Sequence, residues 1–176
     1  MKTIVFIRHS KSDKKSKKLR DIERPLNKRG LKEAPMMGQV LKSFQLTPEL
    51  IISSPAVRAM KTAELIAKEF DIITDSIITD PNLYLESKST LLSVIKHIDD
   101  KYNTVFLVSH NPGLTDLVNY LSIETINNVP TSGAVAIEVD TEIWSELDMG
   151  NGKLLFYEYP KKHREQAAKT EGLVAS

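Results

Sequence analysis

Short β-branched and aromatic runs recur along this chain, and several stop on residues that carry chemistry rather than on turn formers. "TIVFI" (Thr3–Ile7) runs into Arg8 and His9, "LIIS" (Leu50–Ser53) into Ser54 and Pro55, and "TVFLVS" (Thr104–Ser109) into His110. A strand that simply turns at the surface usually closes on Gly, Asn, Asp or Pro. Between the runs lie segments of helical period. Leu31, Ala34, Met37, Leu41 and Phe44 fall on one face, Ala59, Ala63, Ile66 and Phe70 on another, and Leu91, Val94, Ile95 and Ile98 on a third. "AVAIEV" (Ala134–Val139) and "KLLFYEY" (Lys153–Tyr159) read as late strands joined by a loop. Strands alternating with helices predict an α/β sandwich with a mainly parallel central sheet. Pro35 conflicts with the first helix, where it removes a hydrogen bond and should kink the segment.

In such sheets ligands bind beyond the carboxyl ends of the strands. Two helix starts are expected there. Ser54 suits an N-cap with Pro55 at the first helical position, which puts Arg58 in the first turn, and Asn111 caps a helix opened by Pro112. Helix N-termini favour anions. An arginine in a first turn opposes the helix dipole, so Arg58 asks for a compensating anion, and a carboxylate of the protein itself would serve. Arg8, His9, Arg58 and His110 are thus all expected on one rim. A phosphoryl group satisfies two arginines and two histidines, because guanidinium recognises its oxygens and neutral imidazole attacks phosphorus. The nucleophile's other ring nitrogen then needs a partner, a backbone carbonyl or a hydroxyl, to fix its tautomer.

At 176 residues the chain is long enough for one domain with a sizeable core, and its 41% hydrophobic and 27% charged residues suit a soluble protein. No apolar run reaches the length of a membrane span, and there is no cysteine for disulfides or thiolate metal sites. A cytoplasmic protein is expected. The net charge of +1 conceals an asymmetry: residues 1–32 carry a net +9 and the remainder a net −8. The cluster "KSDKKSKKLRDIER" reads either as a solvated loop or as a positive rim steering an acidic or phosphorylated partner. Without interleaved aromatics it does not suggest nucleic acid binding.

Four segments, in order, resemble the motifs of the histidine phosphatase superfamily. They are "RHS" (Arg8–Ser10), "RPLNKRG" (Arg24–Gly30), "SSPAVRAMKTA" (Ser53–Ala63) and "VSHNPG" (Val108–Gly113). The short chain, the "RPL" segment, "APMMG" (Ala34–Gly38), "NLY" (Asn82–Tyr84) and "TSGAVA" (Thr131–Ala136) look most like its SixA-type phosphohistidine phosphatases. The resemblance implies a phosphoglycerate mutase-like three-layer α/β/α fold. It also implies that His9 becomes phosphorylated while Arg8, Arg58 and His110 bind the phosphoryl oxygens, with Ser10 also assigned to substrate binding. Ser10 stands where the superfamily usually has glycine; SixA-type relatives often carry another small residue there.

The chemistry calls for no cofactor and no metal. A cation at His9 and His110 would be repelled by the flanking arginines, and no carboxylate cluster joins them. Many superfamily members use an acid to protonate an alkoxide leaving group. "DPNLYLE" (Asp80–Glu86) offers Glu86 as a candidate acid, with an exposed loop residue as the competing reading. Phosphohistidine relaxes that need, because a ring protonated on its distal nitrogen leaves as neutral imidazole. A phosphorylated protein is therefore the expected partner. A small phospho-compound, turned over by a phosphatase or mutase of the same superfamily, and a non-catalytic phosphoprotein-binding module are the alternatives. The short connection between Asp71 and Thr104 leaves no long insertion for a lid, so a shallow, open site is expected. One domain is expected over residues 1–160, followed by a charged tail at 161–176 in which His163 is solvated; His97 has no recognisable partner.

Overall fold

The computed structural model describes residues 1–175. Six strands form one sheet: β1 (Lys2–Arg8), β2 (Leu50–Ser53), β3 (Ile78–Thr79), β4 (Thr104–Ser109), β5 (Ala134–Val139) and β6 (Gly152–Glu158). Their order is β3-β2-β4-β1-β5-β6. The first four are mutually parallel, and β5 and β6 extend the sheet antiparallel. The expected strands are all present; β3, two residues long, went unread because it has no alternating pattern to read.

Two cores sandwich the sheet, and the alternation within each strand sends its residues to one or the other. Ile4 and Phe6 of β1, Val105 and Leu107 of β4, and Val135 and Ile137 of β5 join one core. Helices α3 (Lys88–Lys96) and α4 (Gly113–Leu121) cover it through Leu91, Ile95, Leu114, Leu117, Val118 and Leu121. Val5, Ile7, Phe106, Val108, Ala134 and Ala136 join the other, beneath α1 (Lys28–Ser43) and α2 (Val57–Glu69). A strand buried on both faces needs an unbroken apolar run, which explains "TIVFI" and "TVFLV" at the centre of the sheet. The result is the three-layer α/β/α sandwich with a mainly parallel sheet.

Several local expectations change. Helix α1 continues through Pro35 as one element of 16 residues. Leu31 and Phe44, expected on its core face, are 46% and 40% exposed; Ala34, Met37 and Leu41 do the packing. Helix α2 is capped at Ala56, so Ser54 and Pro55 precede it and Arg58 is its second residue. The N-cap of α4 is Pro112, and not Asn111, with Gly113 opening the helix; Asn111, one residue earlier, accepts from the Thr115 N–H on Oδ1 at 3.2 Å. The segment after Tyr159, expected as a solvated tail, is helix α5 (Pro160–Ala175). His163 is not free in solvent: its Nε2 lies 2.6 Å from Glu158 Oε2. Arg164 reaches the buried Glu33 on α1, which also accepts from Arg29. Among the described residues no helix is long and apolar enough to cross a membrane.

Candidate active site

Three parallel strands deliver their carboxyl ends to one place. The His9 N–H donates to Ser109 O at 3.1 Å, which carries the β1–β4 ladder one residue past the strands and sets His9 beside His110. The Ser54 N–H donates to Val108 O at 3.0 Å, so the start of α2 lies against the end of β4. The ring centroids of His9 and His110 are 5.0 Å apart. Arg58 projects from the first turn of α2, and its Nε is 3.4 Å from His9 Nε2 while its Nη2 is 3.4 Å from His110 Nδ1. The structure therefore brings Arg8, His9, Arg58 and His110 to one pocket, of about 220 Å³, lined also by Lys11, Lys14, Asp21 and Arg24.

Hydrogen bonds fix both imidazole tautomers. The His9 Nδ1–H donates to the main-chain oxygen of Ser10 at 2.8 Å, because a carbonyl can only accept. That leaves the Nε2 lone pair facing the pocket, where Arg58 Nε donates to it at 3.4 Å. Arg58 Nη2 can only donate, so the His110 Nδ1 facing it is the acceptor, and the His110 Nε2–H donates to Ser54 Oγ at 2.7 Å. Burial, assisted by Arg58 and Arg8, lowers the His9 pKa to about 4, against the opposing pull of the Ser10 carbonyl. Burial first, then His9 and Arg58, lowers His110 to about 3. Both rings are neutral at physiological pH, so His9 keeps the unprotonated Nε2 that attack on phosphorus would need.

Arg8 has the clearest unmet demand. Its Nη1 donates to Val129 O at 3.0 Å, but its buried Nε has no partner among the described residues. A buried guanidinium N–H without an acceptor is costly, and an anion in the pocket would satisfy it.

Sequence reasoning missed Asp21, Tyr84 and Thr62. Asp21 supplies the anion that Arg58 requires: Arg58 Nη2 donates to Asp21 Oδ2 at 3.0 Å. The same oxygen accepts from Tyr84 Oη at 2.5 Å, and Oδ1 accepts from Arg24 Nε and Nη2 at 3.0 and 2.9 Å. Tyr84 and the arginines hold the Asp21 carboxyl well below the usual carboxylate range. Tyr84 also meets the His110 ring edge-on, with centroids 5.4 Å apart. Thr62 Oγ1 accepts from the Ser10 N–H at 2.9 Å and donates to Arg58 O at 2.7 Å, which fastens the loop after His9 to α2. Tyr84 and Thr62 sit inside segments noted in the sequence; Asp21 lies in the charged run, where composition hides a single useful carboxylate.

Other expectations are corrected by geometry. Ser10 is fully buried and outside the pocket lining; its hydroxyl accepts from Ser132 Oγ at 2.5 Å, so its work is to hold His9 by its carbonyl. Ser132 occupies the left-handed region (φ 62°), and its N–H serves both Arg8 O and His9 O, at 3.1 and 3.2 Å. Glu86 is exposed and lines a separate depression with Pro112, Gly113 and Asp116. Pro112 and Gly113 face that depression too, so the pocket's positive charge comes from side chains rather than from the α4 terminus. The glycine is required there, because a Cβ on Gly113 would stand 2.1 Å from Glu86 O. The site is not shallow. His9, Arg58 and His110 are 8%, 2% and 2% exposed, and the 11–24 loop walls the pocket where a lid insertion was thought lacking. The His97 Nδ1–H donates to Ser93 O at 2.7 Å, one turn away, in a larger groove of about 660 Å³ at the far edge of the sheet. Among the described residues no cluster of His, Asp and Glu could hold a metal.

Residues 4–84 match the family model described as histidine phosphatase superfamily (branch 1). An uncharacterized protein of Mycobacterium leprae is 28% identical over 155 residues, covering 80% of this chain and 89% of that one. Among solved structures, the protein histidine phosphatase SixA complexed with tungstate aligns with a TM-score of 0.78 at 22% identity, covering 92% of this chain and 99% of that one. The mycobacterial glucosyl-3-phosphoglycerate phosphatase in complex with VO3 aligns with a TM-score of 0.68 at 14% identity, covering 91% of this chain and 100% of that one. The family match spans β1 to the loop after β3, and over the rest of the sheet the likeness to the solved structures is one of fold. Over residues 4–84 this chain is similar to the histidine phosphatase superfamily, and its fold is the phosphoglycerate mutase-like α/β/α fold of these solved structures.

Proposed function

We propose that this protein is a phosphatase working through a covalent phosphohistidine on His9, and that its preferred substrate is phosphohistidine in a cytoplasmic protein. One observation carries the reading: the unprotonated Nε2 of His9 opens onto the Nε/Nη2 edge of Arg58, in a pocket lined by five cationic side chains and one carboxylate. In the first step the Nε2 lone pair attacks phosphorus in line, the Nε2–P bond forms, and the bond to the leaving group breaks with its electron pair. Arg8 and Arg58 stabilise charge on the transferring oxygens through a geometry set before substrate arrives. His110 joins them by taking a proton on Nδ1 as the phosphoryl group approaches, since a dianion favours the imidazolium. In the second step water attacks phosphorus and the P–Nε2 bond breaks. The electrons return to Nε2, and His9 regains its neutral form with Nδ1–H still held by Ser10 O. One proton from the water passes to solvent as inorganic phosphate leaves.

The substrate preference rests on the absence of a carboxylic acid able to give up a proton among the residues lining the pocket. Asp21 is their one carboxylate, and its four donors keep it ionised. An alkoxide leaving group would forgo general acid catalysis worth about 10²–10⁴-fold. A phosphohistidine ring protonated on its distal nitrogen leaves as neutral imidazole and forgoes nothing. Pocket size agrees: about 220 Å³ falls below the roughly 300–1,000 Å³ of sites that enclose a whole small molecule. It suits a phosphoryl group on a projecting side chain. The narrowness also withdraws any argument from a flat, open surface. The competing reading, a small phosphomonoester, draws on the likeness to glucosyl-3-phosphoglycerate phosphatase. A phosphohistidine peptide and a panel of sugar phosphates, compared by kcat/KM under matched conditions, separate the two. The peptide is expected to be the better substrate, and equal or faster turnover of a sugar phosphate would reverse the assignment.

A further inference from the structure

The Arg58 guanidinium has two hydrogen-bonding edges, and they face different things. On the outer edge, Nη1 donates to the main-chain oxygen of Asp21 at 2.7 Å and Nη2 to Asp21 Oδ2 at 3.0 Å. On the inner edge, Nε points at His9 Nε2 and Nη2 at His110 Nδ1, each at 3.4 Å. These inner contacts are longer than the usual 2.7–3.2 Å of an N–H donor, so the inner fork is only loosely engaged by the two rings. A guanidinium is planar, and fixing one edge fixes the direction of the other. We infer that Asp21 is a positioning residue for phosphoryl transfer: it grips the outer edge of Arg58 so that the inner fork faces the space between His9 and His110.

The grip is itself built. Arg24 binds the other oxygen of the Asp21 carboxylate with Nε and Nη2, and the Tyr84 hydroxyl binds the same oxygen as Arg58. Arg24 Nη1 is tied in turn to Ser12 Oγ at 2.8 Å, which anchors the short helical turn of Asp21–Glu23 to the loop just after the nucleophile. The carboxylate thus joins three separate segments: the 11–24 loop, the start of α2 and the loop after β3. A bidentate partner for phosphoryl oxygens must meet them in plane, and an error of about 1 Å costs on the order of 10²-fold in rate. A rival role would make Asp21 a plug, an internal anion that competes with the substrate for Arg58. The geometry opposes this, since Asp21 occupies the edge turned away from the two rings.

The inference rests on the phosphatase reading, and a double-mutant cycle tests it. Phosphoenzyme formation is followed in a single turnover with a phosphohistidine peptide for the wild type, Asp21→Asn, Arg58→Lys and the double variant. Lysine keeps the charge of Arg58 but has no second edge to hold. Asp21→Asn is expected to slow phosphoryl transfer about tenfold to a hundredfold without weakening peptide binding, and to add little once Arg58 is lysine. The same loss in both backgrounds, or an unchanged rate with tighter peptide binding, would overturn the inference. If Asp21→Asn fails to fold, Tyr84→Phe replaces it in the same cycle and is held to the same criterion. A wild type that forms no phosphoenzyme would overturn the phosphatase reading and this inference together; additivity would overturn this inference alone.

Discussion

At the scale of single residues, the site depends on protonation states that burial imposes. His9, held to a pKa of about 4, stays nucleophilic far below the ordinary imidazole range. Protonation removes its lone pair, so lowering the pH through 6.5 should leave the enzyme's contribution to kcat/KM intact. The acid limb should fall near pH 4, once the substrate's own phosphate ionisation is accounted for; a limb at 6.5 would mean the ring is solvated. Arg8 makes a second prediction. Its unpartnered Nε is an expected phosphoryl contact, and lysine supplies no equivalent donor. Arg8→Lys should lower kcat/KM by about 10²-fold, the usual cost of losing one preorganised donor. Arg8, His9, Arg58 and His110 were readable in the sequence because each ends or follows a strand or lies in the first turn of a helix. Asp21 was not, because nothing local distinguishes it from the charges around it. The need for such an anion was legible at Arg58; its identity required the fold.

At the scale of elements, the central strands were legible because burial on both faces demands an uninterrupted apolar run. Helix boundaries were less so. Ser54 and Pro55 have the residue types of a helix start, yet the chain spends them on the turn before α2, where Ser54 Oγ accepts from His110 Nε2–H and from the Ala56 N–H at 3.2 Å. Local capping chemistry was diverted to the site. Leu31 and Phe44 fit the period of α1 but sit in its first turn and at its C-cap, partly exposed, and Phe44 stacks on Phe156 of β6 with centroids 4.1 Å apart. The charged residues after Tyr159 hid a helix because its docking is polar, with Arg164 paired to buried Glu33, and Lys162 and His163 bound to buried Glu158, and not by an apolar stripe. The join between the first loop and α2 gives an element-scale prediction. Thr62→Val conserves shape but strands the buried Ser10 N–H, which costs about 1–3 kcal/mol. For a chain of this size each kcal/mol lowers the melting temperature by about 2–4 °C. A melt shifted by several degrees is expected, and an unshifted melt would show that Ser10 is not held through Thr62.

Across the whole molecule, charge is segregated. Residues 1–32 carry a net +9, and four of their cations, Arg8, Lys11, Lys14 and Arg24, line the pocket together with Arg58. Such a rim attracts anions over about a Debye length, roughly 8–10 Å at ordinary salt. The kcat/KM for a phosphorylated peptide should therefore fall as ionic strength rises, with kcat little changed; salt independence would return the lysines to the role of a solvated loop. Stability should also depend on the site. His9 and His110 are lowered to about 4 and 3 in the folded chain, whereas unfolded imidazole titrates near 6.5. The unfolded chain then binds more protons between those values, so stability is fully present above about 6.5 and declines as the pH falls toward 4. Urea midpoints measured from pH 7 to 4.5 should decrease. His9→Ala should flatten part of that slope while abolishing turnover.

All of this depends on the ring of His9 taking the phosphoryl group. The direct measurement is to quench the enzyme during turnover of a phosphorus-labelled phosphohistidine peptide and map the label along the chain. An acid-labile, alkali-stable label on His9, absent from His9→Ala, is the predicted result. Hydrolysis without any enzyme-bound label, or a label that persists in His9→Ala, would contradict it.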